Sequence, residues 1–272
     1  MRFPIAREIW KHSHGLNRLK LLAAASTATR PWLKPLAMAY LKNISEDGIF
    51  WAEYESAGHM VRASFRLSEL SSDIYILKEV GVGNCYHIPD GYEPDLIIDA
   101  GGNNGMFSLS ALKRWPNAKL KIFEPVPDNL ERIRAHLKAN GMSAEIYSHC
   151  LGLANGMRTF YCREPGKGSV FTDLPYTHTM DVQVVRLSDY LENDPHARTF
   201  IKLDIEGAEL EVLEDILQKP RPNTFIVGEL HHHKGVKDHF LSLIEKAHLV
   251  TKFFDASERC VTFHAIPKNG IG

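Results

Sequence analysis

Cysteine is scarce in this sequence, with four such residues in a chain of 272. Cys85, Cys150, Cys162 and Cys260 show no CxxC spacing, so the pattern indicates neither a zinc cage nor a disulfide framework. A chain without disulfides suits a reducing compartment, and we therefore expect a cytoplasmic protein.

An excess of charge of one sign and long apolar segments are also missing. The formal net charge is −1, whereas broad binding to nucleic acid needs a basic stripe, so we predict no nucleic-acid partner. No segment approaches the roughly 20 apolar residues that cross a bilayer. The sequence contains no internal repeat and no low-complexity tract. Its length fits one hydrophobic core with an added subdomain.

Positive charge is concentrated in residues 1–42, which hold eight Lys and Arg residues against the single acid Glu8. The apolar run 21–28 is too short and begins too late for a secretion signal. The leucines between residues 19 and 41 favour a helical hairpin that acts as a lid or as a dimer element in a homo-oligomer. The alternative is a basic amphipathic surface that rests on anionic lipid, as a peripheral contact at the inner membrane face.

The remaining pattern predicts an α/β fold. Residues 49–66 read as a β-hairpin and 67–80 as a helix; apolar strands then alternate with helices, and a second hairpin (250–266) closes the chain. This order predicts a Rossmann-like, doubly wound, mostly parallel sheet with a terminal antiparallel hairpin. We divide the chain into an N-terminal extension, 1–80, and a main domain, 81–272, with a β insertion near 156–186.

A glycine-rich loop between two predicted strands indicates a nucleoside site. Asp99 ends the first strand, Gly101 and Gly102 follow, and Glu124 ends the next strand. A dinucleotide site favours G-x-G-x-x-G, and an acid ahead of the glycines would repel a pyrophosphate. The same acid could hold an ammonium group, which favours S-adenosylmethionine (SAM) over NAD(H).

Four segments, in order along the chain, resemble motifs of the FkbM family of SAM-dependent methyltransferases. They are Asp99–Gly105 (DAGGNNG), Phe123–Asn129 (FEPVPDN), Leu151–Gly156 (LGLANG) and Lys202–Glu209 (KLDIEGAE). The resemblance implies SAM as cofactor and methylation of a hydroxyl on a sugar, glycolipid or other natural product. The predicted cofactor-binding residues are Asp99, Gly101, Gly102, Asn103, Glu124, Pro125, Cys150 and Leu151. The chain departs from the family pattern at Gly102 and Cys150, where alanine is usual.

Polar residues at later strand ends are the candidates for catalysis. Asp204 and Glu206 follow the fourth core strand, and His231 ends the fifth. Removing a hydroxyl proton calls for a general base, and we predict His231 for this role because an unperturbed histidine is mostly neutral at neutral pH. Ser169 and Glu229 are the predicted acceptor contacts.

Three alternatives remain open. Asp204, Glu229 and the histidines 231–233 could hold a divalent ion, but consecutive histidines impose no ligand geometry, so we predict no metal. The protein could also be a SAM-binding regulator or scaffold without catalysis, or an NAD-dependent oxidoreductase.

Overall fold

The computed structural model of the chain describes residues 43–268 apart from 87, 89–90, 164–167, 172–174, 195, 220, 232 and 257–259. Our predictions for the basic segment 1–42, as a lid, dimer element or lipid contact, lie outside the described residues. No helix in the described part of the chain is both long and apolar enough to cross a bilayer.

The predicted alternation of strands and helices is present. In chain order the strands are β1 (Ile49–Ser56), β2 (His59–Arg66), β3 (Leu96–Ala100), β4 (Lys119–Phe123), β5 (Glu145–Tyr147), β6 (Cys150–Leu151), β7 (Gly156–Cys162), β8 (Gly168–Ser169), β9 (His178–Val185), β10 (Thr199–Leu203), β11 (Thr224–His231), β12 (Leu249–Ala256) and β13 (Cys260–Pro267). The α-helices are α1 (Leu70–Ile76), α2 (Met106–Arg114), α3 (Pro127–Ala139), α4 (Glu209–Ile216) and α5 (His233–Lys246).

The central sheet has the strand order β5-β4-β3-β10-β11-β13-β12. Strands β3, β4, β5, β10 and β11 are parallel, whereas β13 is antiparallel to both of its neighbours. The edges differ, because β5 has three residues and β12 has eight with a register shift near Phe253. The predicted Rossmann-like fold with a terminal antiparallel hairpin is confirmed.

Both faces of this sheet are buried, as a doubly wound fold requires. On β3, Ile97 belongs to the core beneath α2 and α3, while Leu96 and Ile98 belong to the core beneath α4 and α5. Successive strand residues point to opposite faces, so one continuous apolar run supplies both cores. Every residue of β3 is buried, including Asp99.

The N-terminal hairpin β1–β2 packs against the first of these cores. Phe50 and Phe65 stack with ring centroids 5.4 Å apart and share one apolar cluster with the helix α2. The helical run continues from Leu67 to Val82, so the boundary that we predict at residue 80 falls inside it. The division into an extension and a main domain stays a prediction.

A buried ion pair joins the hairpin side of the core to the helix α3. Arg132 is 4% exposed and donates to both carboxylate oxygens of Asp73, at 2.8 and 2.9 Å. It also contacts Glu69 at 3.0 Å and the backbone oxygen of Ser64 at 3.0 Å. Asp73 in turn accepts from the side chain of Asn104, which follows the glycine loop.

His136 makes a second link between the hairpin and the same loop. Its Nε2 accepts from the backbone N–H of Ser64 at 2.9 Å, so Nδ1 carries the proton and donates to the backbone oxygen of Asn104 at 2.8 Å. Burial lowers the pKa of His136 to about 3, and the ring is therefore neutral at physiological pH. Asp73 and His136 thus hold Asn104 of the loop, and Ser64 of the hairpin joins this network through Arg132 and His136.

The predicted β insertion forms a small separate sheet. Its strand order is β6-β9-β7-β8, with β7 antiparallel to β8 and β9. A short apolar cluster that includes Phe160 and Val184 holds it together. This sheet extends the carboxyl edge of the central sheet and supplies one wall of the cavity described next.

Candidate active site

A cavity lies at the carboxyl ends of β4, β3 and β10, which are neighbours in the sheet. It contains about 950 Å³ of space, part of it open to solvent. The residues that line it are Ile76, Val80, Tyr86, Gly101, Gly102, Asn103, Asn104, Phe107, Phe123, Glu124, Pro125, Val126, His149, Cys150, Leu151, Phe160, Gly168, Val170, Lys202, Asp204, Ile205, Glu206 and Ala208.

The glycine loop forms the floor of the cavity, and close packing explains its two adjacent glycines. Gly101 has φ +81°, and a Cβ atom there would lie 2.0 Å from the backbone oxygen of Asp204. A Cβ atom at Gly102 would lie 2.5 Å from Cγ2 of Ile122 and 3.1 Å from Cδ1 of Ile133. Gly102, which departs from the family's usual alanine, therefore leaves room for the large side chain at position 122.

Restoring the family's alanine with Gly102→Ala should destabilise the fold by about 1–3 kcal/mol, because the new methyl group overpacks the loop against Ile122. Chemical denaturation would measure the change in free energy of unfolding. Gly156→Ala is the matched control, since no atom lies within 4 Å of its Cβ position. Equal stability of Gly102→Ala and the wild type would show that Ile122 moves aside freely.

Glu124, at the end of β4, presents a buried carboxylate to the cavity. Oε2 accepts from the backbone N–H of Asn103 at 2.7 Å, and Oε1 accepts from that of Val126 at 2.9 Å. Burial raises the pKa of Glu124 to about 7, although these hydrogen bonds and the charge of Lys202 oppose the shift. The side chain is 5% exposed, so a ligand in the cavity would meet a desolvated hydrogen-bond acceptor.

Asp99 lies behind the cavity rather than in its wall. Its Oδ2 accepts from Ser108 at 2.6 Å, and its Oδ1 lies 3.1 Å from Nζ of Lys202. Lys202 also donates to the backbone oxygens of Ala100 and Gly101. Asp99 therefore holds Lys202, and Lys202 fixes the loop; contact of Asp99 with a cofactor, directly or through water, stays a prediction.

The end of β10 supplies the acidic side of the cavity. The hydroxyl of Tyr86 donates to Oδ2 of Asp204 at 2.9 Å, and burial raises the pKa of Tyr86 well above its ordinary value, so the hydroxyl stays protonated. Glu206 has φ +60°, a strained conformation for a residue with a side chain. Its Oε2 lies 3.6 Å from Nη1 of Arg163.

The sequence profile of the Methyltransferase FkbM domain matches residues 99–255, more than half of the chain and the whole of the cavity's loops after β3, β4 and β10. The chain belongs to the FkbM methyltransferase family.

Several known proteins are similar to this chain. Methyltransferase 1 of Beauveria bassiana is 29% identical over 52% of this chain and 66% of its own length. The 31-O-demethyl-FK506 methyltransferase FkbM of Streptomyces tacrolimicus is 25% identical over 62% of this chain and 79% of its own length. The crystal structure of M. jannaschii TYW2 in complex with AdoMet superposes with a TM-score of 0.44 at 8% identity, covering 81% of this chain and 86% of that one.

In this FkbM-family chain, Glu209 organises the turn after β10. Its Oε1 accepts from the backbone N–H groups of Ile205 and Gly207, at 3.2 and 3.0 Å, and lies 2.9 Å from Nδ1 of His231. Glu209 is almost fully buried. Helix α4 begins at this residue, so Glu206 precedes the helix instead of opening it.

The environment of His231 corrects the expectation that it is a neutral base. Burial lowers the pKa of His231. The hydrogen bond to Glu209 and the charges of Glu209, Asp204 and Glu206 outweigh this effect and raise the pKa to about 10. Nε2 lies 3.8 Å from carboxylate oxygens of both Glu206 and Glu229. In this arrangement the ring is an imidazolium at neutral pH and cannot accept a proton, and it does not line the cavity.

The two predicted acceptor contacts also lie beside the cavity rather than in it. The hydroxyl of Ser169 donates to the backbone oxygen of Glu206 at 2.8 Å and accepts from the N–H of Phe171, while its neighbours Gly168 and Val170 line the wall. Glu229 is near Asp204, whose charge is the largest cause that raises the pKa of Glu229, to about 7. Through its hydrogen bond to the backbone oxygen of Glu206, Ser169 helps to position that residue.

Four residues with evident roles were not among the predicted site residues: Tyr86, Lys202, Glu209 and His149. Lys202 and Glu209 lie within a motif recognised in the sequence, but the motif did not indicate what these two side chains do. Tyr86 carried no local signal. Nδ1 of His149 is buried, has no hydrogen-bond partner among the described residues, and belongs to a side chain in the cavity wall.

Proposed function

We propose that the chain transfers a methyl group from SAM to a hydroxyl of a sugar, glycolipid or other natural product, with S-adenosylhomocysteine (SAH) as the second product. The observation that carries the proposal is one cavity that joins the glycine loop and Glu124 to Asp204. The relative whose name includes 31-O-demethyl-FK506 supports a hydroxyl acceptor on a natural product.

The residues of the cavity suit SAM better than a dinucleotide. The carboxylate of Glu124 is a desolvated acceptor at the strand end where a ribose would bind. The backbone N–H of Asn103, which a pyrophosphate would need, already donates to that carboxylate. The unpartnered Nδ1 of His149 offers a further hydrogen bond to a polar heterocycle such as adenine.

On the acceptor side, the chain supplies a base and excludes water. When bound, SAM supplies an electrophilic methyl group, and the hydroxyl that receives it must lose its proton. Asp204 is the carboxylate in the cavity wall that we assign to take this proton, because Tyr86 holds its Oδ2 in place. Phe107 and Phe160 form apolar parts of the same wall, which limits access of water.

Calorimetric titration with SAM, SAH and NAD(H) tests the cofactor, and a screen of hydroxylated sugars, glycolipids and polyketides tests the reaction. We expect micromolar binding of SAM and SAH, no binding of NAD(H), and a methylated product by mass spectrometry. Binding of NAD(H) in place of SAM would overturn the proposal. Binding of SAM without turnover on any acceptor would favour the regulatory or scaffold alternative.

The affinity for SAM should depend on pH through Glu124. Because its pKa is raised to about 7, the carboxyl group of Glu124 is partly protonated near pH 7 in the free protein. Ribose hydroxyls donate hydrogen bonds better to the ionised carboxylate. We therefore expect the Kd to be lowest above about pH 8 and to rise by up to about tenfold per pH unit below about pH 7. Titrations across this range would measure the effect.

Glu124→Gln is the control for that pH series. At pH 8 it should weaken SAM binding by roughly 1–3 kcal/mol, because a charged partner for buried hydroxyls is lost. Any pH dependence that remains in Glu124→Gln belongs to other groups, among them the ligand's own amine and Glu229, and can be subtracted. Wild-type affinity in the variant would remove Glu124 from the ribose site.

A further inference from the structure

Three ligand-type side chains converge beside the cavity, on strands β11 and β13. Glu229 and His231 are two residues apart on β11 and so share a face of the sheet. Cys260 lies directly opposite His231 in the antiparallel pairing with β13. One carboxylate oxygen, one imidazole nitrogen and the thiol sulfur all lie within 4.8 Å of one another, and all three residues are partly buried.

The sheet itself fixes this arrangement. Directly opposed residues of an antiparallel pair have Cβ atoms about 4.5–5.5 Å apart, so the pairing keeps the Cβ atoms of Cys260 and His231 close together. Nε2 of His231 is 3.8 Å from Oε2 of Glu229, already close to the spacing of two ligand atoms on one ion. Bonds of about 2.0–2.3 Å to an ion would require side-chain adjustments of about 1 Å at the sulfur.

A supporting contact orients the imidazole for this role. Metal-binding histidines commonly donate their second ring nitrogen to a carboxylate, which fixes the ring and raises its basicity. Here Nδ1 of His231 contacts the buried carboxylate of Glu209 at 2.9 Å, which leaves Nε2 directed toward Glu229 and Glu206. The same Glu209 is held by two backbone N–H groups, so the orientation is rigid.

The surrounding charge also suits a cation. Glu206, Glu209 and Glu229 lie around one imidazole. Arg163 contacts Glu206 from the other side. A divalent ion would balance the charge of these carboxylates.

We propose that Glu229, His231 and Cys260 bind a divalent ion of borderline softness, with Zn²⁺ as the best match to a carboxylate, imidazole and thiolate set. Three protein ligands leave a fourth position, which Glu206 or water would fill. The site lies one strand from Asp204, at the acceptor side of the cavity. It departs from the prediction of no metal, and it is independent of which cofactor the cavity binds.

Metal analysis of the full-length chain tests the site without an activity assay. The protein would be loaded with Zn²⁺, dialysed against metal-free buffer and assayed by mass spectrometry of the metal; we expect about one ion per chain. Loading with Co²⁺ should give the intense absorption of a thiolate bound to cobalt. Cys260→Ser should abolish that absorption, while Cys162→Ser, a buried thiol of β7, should preserve it.

Further variants keep the test decisive if Cys260→Ser folds poorly. Glu229→Gln and His231→Asn should each release the ion, and Glu209→Gln should weaken its affinity about 10–100-fold through the orientation of His231. Circular dichroism would confirm that each variant is folded. The proposal is overturned if the wild type retains no Zn²⁺, or if folded Glu229→Gln, His231→Asn and Cys260→Ser all retain it.

Discussion

Asp204→Asn should lower kcat by about 10²–10⁴-fold with the acceptor that the screen identifies, because the variant removes the general base while it conserves shape. The amide oxygen of asparagine can still accept from the hydroxyl of Tyr86, so the wall of the cavity should stay intact. Rates of SAH formation under saturating SAM and acceptor would measure the effect. SAM affinity, measured by calorimetry, should change little, since the proposed ribose contact is Glu124.

Two further variants test whether the lower kcat of Asp204→Asn comes from loss of the general base. Asp181→Asn makes the same chemical change at an exposed position of β9 and should leave kcat unchanged. Glu206→Gln tests the second carboxylate that follows β10 in the cavity wall. Full activity of Asp204→Asn together with loss of activity in Glu206→Gln would transfer the role of base to Glu206. Full activity of both would point to an acceptor, such as an amine, that needs no base.

Arg132→Leu should lower the free energy of unfolding by about 3–5 kcal/mol, the range for breaking a buried ion pair by removing one partner. The Asp73 carboxylate would remain in the core with its two hydrogen bonds from the guanidinium lost. Denaturant unfolding followed by circular dichroism would measure the change. SAM affinity should fall as well, since Asp73 also holds Asn104 beside the glycine loop.

The same helix offers the control. Arg134 is exposed on α3, two residues away, so Arg134→Leu should alter stability by less than about 0.5 kcal/mol. Combining Arg132→Leu with Asp73→Asn removes the stranded charge and should recover part of the loss. If Arg132→Leu were as stable as Arg134→Leu, the ion pair would contribute little to holding the hairpin on the core.

Local patterns predicted the scaffold correctly and drew attention to the loop after β3, for a physical reason. Buried parallel strands read as short apolar runs, and the loop that follows β3 needs glycines where the backbone of Asp204 and the side chain of Ile122 come close. The contacts join distant residues, but the apolar runs and adjacent glycines that they require are local patterns, so they are visible in the sequence. The loop, Glu124, Cys150 and Leu151 accordingly meet around one cavity.

The acceptor side was harder to predict because its properties arise from distant segments. Tyr86 reaches Asp204 across 118 positions of the chain, and no local pattern marks it. The charge of His231 depends on carboxylates that the turn after β10 brings back toward β11. The sequence suggested a base because it does not reveal these neighbours, which outweigh burial and raise the pKa of the ring to about 10.

The unequal edges of the central sheet limit how copies of this chain could associate. Strand β5 offers three residues for pairing, and β12 carries a register shift near Phe253 and the exposed Lys252. Short, irregular or lysine-bearing edges resist the addition of a strand from a neighbouring molecule. Self-association through the described residues would therefore rely on contacts between side-chain surfaces, and a sheet running continuously across two molecules is disfavoured.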